Sequence, residues 1–563
     1  MGEPSSTPGG RPDFHAVHRE LLERAVAAVR ERAYFSAYPE SPSPRVYGET
    51  AAAEGKAAFE RLLGGPFPLD QPGERGRVAT ERSPYGIELG VSYPRADPDA
   101  LIAAATAALP GWRDAGPDTR AGIAVEILRR INARSFELAH AVQHTTGQSF
   151  VMAFQAGGPH AQDRGLEAAA YAYEAQTRYA ASVRWEKPQR KGEPLVMEKS
   201  FTPVPRGVAL VIGCTTFPTW NAYPAIFADL VTGNPVIVKP HPGAVLPLAL
   251  TVSIAREVLA EAGMDPNAVL LAAEEHGERL AAELALRPEV RVVDFTGSTE
   301  FGDWLERSAV QAFVSTEKSG VNTVVVDSTD DYRGLLGNLA FSLALYSGQM
   351  CTTPQNIYVP REGVATDDGR RGPGEFAADL AAALDRLLAD PAKAAGTLGA
   401  LANQGVVDRL DGAAALGKVV LASRALAHPE FPDAVVRTPT VVALDADASE
   451  VYGREHFGPI SFVITTDDTA HALRLLRETV AERGALTASV YSTDPEVLAA
   501  ARSAALDAGV NLSENLTGPV FVNQSAAFSD YHGSGANPAA TAALTDPGFV
   551  AGRFTFVQVR RHA

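Results

Sequence analysis

The sequence predicts an α/β protein of two tandem units, on two observations. The β-branched runs GVALVIGC (207–214), NPVIVKP (234–240) and VRVVDFTGS (290–298) alternate with helical segments such as AYPAIFADLVTG and LPLALTVSIAREVLAEAG. That βαβ spacing implies parallel strands buried between helix layers. A second series then follows: NTVVVD (322–327), NIYVP (356–360), PTVVAL (439–444), ISFVITT (460–466) and LTASVYS (486–492). The two series share no internal repeat.

The remaining elements follow in chain order. Residues 14–33 place Val17, Leu21, Leu22, Ala25 and Val29 on one helical side. YPESPSPRVYGET (38–50) interrupts, and a second helix is expected over 51–63. Residues 71–94 are rich in turn formers, 98–145 read as amphipathic helices, and a further helix is expected over 164–183. RWEKPQRKGEPLVMEKSFTPV (184–204) is charged and strand-like, a solvated hairpin, and GRFTFVQVRR (552–561) alternates apolar with polar residues as an edge strand does.

Composition narrows the function classes. The chain has 563 residues, is 46% hydrophobic and 21% charged, and carries a formal net charge of −17. A broad nucleic-acid surface needs a Lys/Arg excess and is not expected. Two cysteines, Cys214 and Cys351, fit a reducing compartment rather than a disulfide framework. No apolar run approaches the roughly 18–20 residues that span a bilayer. The start of the chain lacks a signal-peptide pattern, and Gly2 with Ser6 matches the myristoylation pattern only formally, inside a Pro/Gly-rich stretch. A cytoplasmic protein without membrane or nucleic-acid partners is expected.

Chemistry concentrates at Cys351 and Glu317, which stand 351 − 317 = 34 residues apart. Cys351 follows Ser-Gly-Gln-Met, a Gly-containing turn rather than an apolar core run. A thiol of pKa about 8.5 is mostly protonated at neutral pH, so a site that uses it must stabilise the thiolate or pass its proton to a base. A thiol that attacks a carbonyl and a carboxylate that activates water are two roles of one covalent mechanism. Upstream, FTGSTEFG (295–302) follows a strand and opens a helix, a context that lets Gly297, Ser298 and Gly302 bring backbone N–H groups to a phosphate. The sequence has no His-Glu-x-x-His, paired Cys-x-x-Cys or Gly-x-x-x-x-Gly-Lys-Ser/Thr motif, and no metal site is expected. Glu274, Glu275, His276 and Glu278 read as acidic loop residues near a helix start.

Residues 80–560 resemble the aldehyde dehydrogenase superfamily. The resemblance is carried by Gly348-Gln349 before Cys351, by Glu317, by the 295–302 octet, by Val236-Ile237-Val238-Lys239-Pro240 and by Glu455-His456-Phe457-Gly458-Pro459. It implies a Rossmann-type cofactor domain, an α/β catalytic domain, and an arm in which the 184–204 hairpin joins the C-terminal strand for oligomerisation. The expected division is a helical extension over 1–79, an NAD(P)-binding domain over 80–318, a catalytic domain over 319–535 and a C-terminal segment over 536–563. It further implies Cys351 as nucleophile, Glu317 as the base that hydrolyses the thioester, Lys239 at the adenosine ribose, Glu455 at the nicotinamide ribose and Phe457 beside the nicotinamide. Pro242 replaces the glutamate that usually binds the ribose hydroxyls, so NADP is expected, with NAD as the alternative. Counting without gaps puts Thr216 where the superfamily has its oxyanion-binding asparagine; Asn221 requires a shifted register.

More narrowly, GCTTFPTWNAYP (213–224), KPHPGAVLPLA (239–249) and STEKSGVNTVVV (315–326) resemble the branch that serves phenylacetic acid degradation. That branch implies a ring-opened semialdehyde carried on coenzyme A. With 563 − 532 = 31 residues after His532 there is no room for a fused hydratase, so a separate enoyl-CoA hydratase is expected to serve the pathway. A homodimer or homotetramer is expected from the arm. Acyl transfer to coenzyme A and a silent scaffold are the rival readings.

Overall fold

The computed structural model describes residues 11–318 and 320–563; the Gly2/Ser6 pattern lies outside them. The first sheet has five strands in the order Val269–Leu271, Val236–Lys239, Val208–Ile212, Val290–Thr296 and Phe313–Glu317. All four pairings are parallel. Val208–Ile212 and Val236–Lys239 are buried along their whole length, as expected for strands covered on both faces. The chain runs outward from Val208–Ile212 through two strands, then returns to its other side. That reversal opens a crevice at the carboxyl ends of the strands, where ligands of α/β sheets bind.

The second sheet has seven strands, in the order Lys418–Leu421, Thr440–Asp445, Ile460–Thr466, Asn356–Pro360, Thr323–Val326, Thr487–Tyr491 and Asn511–Glu514. Only the pairing of Lys418–Leu421 with Thr440–Asp445 is antiparallel. Both tandem α/β series expected from the sequence are therefore present.

The arm is a three-stranded antiparallel sheet in which Leu195–Pro205 lies between Ser182–Lys187 and Phe554–His562. The helix expected over 164–183 covers Ala161–Thr177 and stops short, because the chain enters this arm at Ser182. Arg553 anchors the arm's last strand: its buried guanidinium meets Asp229 at 2.6 Å and Asp294 at 2.6 Å. The turn-rich 71–94 segment contains a short antiparallel pair, Glu74–Val78 with Tyr93–Ala96.

The N-terminal helix Phe14–Glu31 is not a separate body. Leu22, Ala25, Ala28 and Val29 share one core with Val125, Leu128, Leu166 and Phe227. His18 Nε2 also reaches Glu126 at 2.8 Å across that interface. This packing brings the chain that follows, Tyr34 to Glu40, to the mouth of a cavity beside Cys351.

Two helix features position the site. Helix Pro218–Thr232 starts with proline at its first position and ends at Gly233, whose φ of 94° supplies the left-handed cap. Between Phe150 and Thr177 the helix is interrupted by a π segment, Ala156–His160, where Pro159 contributes no N–H. The Gly157 carbonyl there accepts from Thr219 Oγ1 at 2.8 Å, tying the two helices together.

Candidate active site

Cys351 sits on a turn that the backbone holds under strain. Tyr346, Ser347 and Gly348 take φ of 52°, 50° and 63°, three left-handed residues in succession. The two non-glycine residues each cost on the order of 1 kcal/mol or more, and persist only because their surroundings fix them. Ser347 Oγ donates to the Leu398 carbonyl at 3.1 Å. Gln349 donates to the Tyr346 and Ala400 carbonyls at 3.2 and 3.1 Å and accepts from the Ala402 N–H at 2.8 Å. At Gly348 a side chain is excluded outright, since a Cβ would lie 2.6 Å from the Gly458 carbonyl oxygen. Beyond the thiol, Asn322 Nδ2 donates to the carbonyls of Cys351 and Thr353 at 2.8 and 3.0 Å.

Glu317 ends the strand Phe313–Glu317 and is 1% exposed. Its Oε2 accepts from Asn221 Nδ2 at 3.0 Å, and its Oε1 lies 3.0 Å from His532 Nε2. The same His532 nitrogen is 3.4 Å from Cys351 Sγ. The reactive atoms of Glu317, Cys351 and His532 all lie within 4.8 Å of one another. Burial works to raise Glu317, but a positive charge on His532, present once that ring is protonated, and the hydrogen bonds from His532, Cys351 and Asn221 outweigh it and hold the carboxyl below its usual range. The Cys351 thiol moves the other way: burial first, then the negative charge of Glu317, push it well above its ordinary value.

The sequence-derived residues do not all converge. Asn221 lines the Cys351 cavity; Thr216 is not among its described lining residues, and the Thr216 carbonyl accepts from Gln148 Nε2 at 2.8 Å. Cys214 Sγ, 3.6 Å from Asn221 Oδ1, occupies the acceptor end of that amide and leaves its N–H₂ for the site. Burial raises the Cys214 thiol to about 11, so it remains a donor.

The loops expected to hold a cofactor flank the crevice. Ser298 caps helix Thr299–Ser308, its Oγ accepting from the Phe301 N–H at 3.4 Å. The Gly297 N–H donates to the Glu317 carbonyl at 3.0 Å, so this loop and the Glu317 backbone share one contact. A Cβ at Gly302 would lie 2.5 Å from Lys318 Cγ. Lys239 closes the strand Val236–Lys239, and its ammonium pairs with the equally buried Glu274 carboxylate. Glu274 also accepts from the Leu280 N–H at 2.9 Å, so it does sit at a helix start, as the sequence indicates. Its pairing with Lys239 was not legible there. Glu455 and Phe457 lie on the loop after helix Ser449–Tyr452, which Gln355 grips through the Arg454 carbonyl at 2.9 Å and the His456 N–H at 2.6 Å.

A family model for the aldehyde dehydrogenase family matches residues 90–542. The chain belongs to the aldehyde dehydrogenase family. It is an oxidoreductase that acts on aldehydes. Its structure superposes with a TM-score of 0.97 on the crystal structure of an NAD-dependent aldehyde dehydrogenase from Burkholderia multivorans, at 58% identity over 98% of this chain and 99% of that one. Among curated relatives, an aldehyde dehydrogenase of a Fusarium species is 24% identical over 78% of this chain and 86% of its own. A 2-aminomuconic 6-semialdehyde dehydrogenase of a Pseudomonas species is 28% identical over 52% of this chain and 58% of its own length. No helix among the described residues is long and apolar enough to cross a membrane.

His532 is the site residue that sequence reasoning missed. It stands alone in Asp-Tyr-His-Gly-Ser-Gly, in a loop with no periodicity, and meets Glu317 across 215 residues. A lone histidine before a Gly-x-Gly turn carries no signal of its own.

Proposed function

We propose that this aldehyde dehydrogenase oxidises an aldehyde to a carboxylic acid through a thioester on Cys351, which Glu317 then hydrolyses. The observation that carries this reading is that Cys351 and Asn221 line one cavity of about 660 Å³, while the buried Glu317 carboxylate accepts from Asn221 Nδ2 at 3.0 Å and lies within 4.8 Å of Cys351 Sγ. Cys351 Sγ adds to the carbonyl carbon. The oxyanion is held by the Cys351 backbone N–H and by Asn221 Nδ2, which we place ahead of Thr216 because Asn221 faces the cavity. After hydride departure Glu317 takes a proton from water, which attacks the thioester.

A nicotinamide cofactor, when bound, supplies the hydride acceptor. The strand ends suit one: Lys239 ends its strand at the carboxyl edge of the first sheet, and the Ser298-capped helix begins just beyond the end of Val290–Thr296 at the same edge. Lys239, Gly297, Ser298, Gly302, Glu455 and Phe457 are the residues proposed to hold it. Pro242 in place of a carboxylate spares a 2′-phosphate repulsion, the basis for expecting NADP. Glu274 works against that choice, because its carboxylate already neutralises Lys239 and brings negative charge to the same place. We therefore propose NAD as the preferred cofactor, in keeping with the name of the Burkholderia relative.

The cavity walls suit a substrate with an apolar body: Phe217, Trp220, Phe341 and Phe521 line it, with Tyr34 and Phe35 from the N-terminal segment. We propose a ring-opened semialdehyde, of the coenzyme-A-linked kind implied by the phenylacetate-degrading branch. Arg164 is the one Lys or Arg among the described lining residues, and it is already paired with Glu167 at 2.9 Å. The phosphates of such a carrier therefore stay outside. The arm's outer strand, with Val557 and Val559 exposed, is proposed to pair in a homodimer or homotetramer.

One experiment tests the core of this reading. Initial rates are measured with NAD and with NADP against hexanal, phenylacetaldehyde and a coenzyme-A-linked semialdehyde, with and without free coenzyme A. Acid formation independent of free coenzyme A, faster with NAD, and lost in Cys351→Ala is expected. NADH formation by Cys351→Ala at the native rate sinks the nucleophile assignment. An absolute need for free coenzyme A replaces hydrolysis with acyl transfer.

A further inference from the structure

The mechanism above leaves one question open: where the Cys351 proton goes. Two acceptors are within reach, Glu317 and His532, and they differ in what they must do next. A Glu317 that had taken the thiol proton would enter the hydrolytic half-reaction as an acid and would have to lose that proton before it activated water. His532 has no such second duty.

The geometry around His532 is that of a fixed group. It is 6% exposed, and its ring meets the Trp220 ring edge-on at 4.5 Å between centroids. Trp220 is in turn covered by the Arg164 guanidinium at 5.3 Å. Its Nε2 makes both contacts that matter, 3.4 Å to Cys351 Sγ and 3.0 Å to Glu317 Oε1. A proton that moves from Sγ to Nε2 thus arrives as an N–H already directed at a carboxylate. Charge-assisted hydrogen bonds of this kind are about twice as strong as neutral ones.

We propose that His532 is the acid–base partner of Cys351, taking the thiol proton on Nε2 as Sγ attacks the aldehyde and returning it when the thiolate is expelled. The inference rests on Cys351 being the nucleophile. With the ring hydrogen on Nδ1, the Nε2 lone pair is free to take the thiol proton, and the Glu317 carboxylate 3.0 Å away then stabilises the imidazolium that forms.

The steps balance. The S–H bond breaks as the S–C bond forms, and the proton goes to Nε2. The hemithioacetal alkoxide loses hydride to the nicotinamide, which is reduced while the aldehyde carbon is oxidised to the thioester. Water gives one proton to Glu317, and the resulting hydroxide adds to the thioester carbon. The C–S bond then breaks, the thiolate takes back the proton from the imidazolium Nε2, and the acid is released. Ionisation of that acid and of Glu317 delivers two protons to solvent for each aldehyde and water consumed.

The test uses the full chain, with hexanal and NAD, and follows NADH in the first turnover. In His532→Ala the first-turnover rate falls by roughly 100-fold, in line with loss of a general base. Added imidazole restores part of it, which no merely structural role for His532 explains. In His532→Gln, which keeps an N–H for Glu317 but no proton acceptor, the rate stays low. NAD affinity, read by fluorescence quenching, stays within about two-fold in both variants, since cofactor contacts are untouched. First-turnover rates within about three-fold of the native protein in the Gln variant, or no response of the Ala variant to imidazole, overturn the assignment. Either result leaves the separate Cys351→Ala test of the nucleophile unaffected.

Discussion

Replacing Glu317 by glutamine separates the two halves of the reaction. Both carboxylate oxygens are engaged, Oε1 with His532 Nε2 and Oε2 with Asn221 Nδ2, each at 3.0 Å. Glutamine keeps one acceptor oxygen, so it retains one of these partners and presents an N–H₂ to the other. It also removes the negative charge that helps push the Cys351 thiol up, so the nucleophile is not weakened on that account. What it cannot do is take a proton from water. Loss of a general base lowers the hydrolytic step by roughly 10²–10⁴-fold, or about 3–5 kcal/mol of barrier. In rapid mixing of Glu317→Gln with aldehyde and NAD, the expected outcome is one NADH per active site followed by near-arrest. Mass spectrometry of the arrested protein then finds an acyl group on the peptide containing Cys351. The burst slows, because the imidazolium of His532 loses its counter-charge, but its amplitude does not fall. Steady-state turnover within about ten-fold of the native protein refutes Glu317 as the hydrolytic base. A missing burst refutes the order of the two steps.

Gly348→Ala meets two obstacles at once, a φ of 63° and a Cβ 2.6 Å from the Gly458 oxygen. It is expected to lower stability in urea unfolding by on the order of 1–3 kcal/mol and to reduce kcat/KM at least ten-fold, whereas native values in both measurements dismiss the strained turn as a determinant of the site. His144 is buried against Phe59, and burial followed by the charge of His140 lowers it from 6.5 to about 4. Between those values the unfolded chain binds a proton that the folded one does not, so stability present above pH 6.5 is lost as pH falls toward 4, by up to about 3 kcal/mol. His144→Gln flattens the dependence of the urea midpoint over that window; an unchanged slope contradicts the burial argument.

The parts of the fold legible in the sequence are those with a period or a β-branched run behind them. Val208–Ile212, Val236–Lys239, Val290–Thr296 and the helix Leu246–Glu261 fall where the pattern puts them. The strands Val269–Leu271, Phe313–Glu317 and Asn511–Glu514 escaped it. They are three to five residues long and exist because a neighbouring parallel strand offers its edge, a long-range fact without local periodicity. The site divides in the same way. Cys351 could be picked out by the Gly-containing turn before it, and Glu317 by the resemblance and its 34-residue separation from that cysteine. Gap-free counting ranks Thr216 ahead of Asn221, but it says nothing about which of them the entry into helix Pro218–Thr232 turns toward the cavity, and Asn221 is the one that lines it. His532 and the Glu274–Lys239 pair depend wholly on tertiary contact.

The groups proposed for catalysis come from different halves of the molecule, and within each half a backbone contact ties one of them to a loop proposed to hold the cofactor. Glu317 ends the first sheet, Cys351 follows a helix of the second, and His532 comes from the loop before the arm. The Gly297 N–H fastens the 295–302 loop to the Glu317 backbone, and Gly458, next to Phe457, packs directly on Gly348 in the turn before Cys351. Both contacts run backbone to backbone, with no flexible side chain between. Packed interiors respond to a shift by moving together rather than by yielding locally. On these contacts the thiol and the carboxylate each stand where backbone packing against a proposed cofactor loop fixes them. That gives a physical reason for the two strained residues, Tyr346 and Ser347: a relaxed turn at that place would uncouple the thiol from the loop that Gly458 anchors.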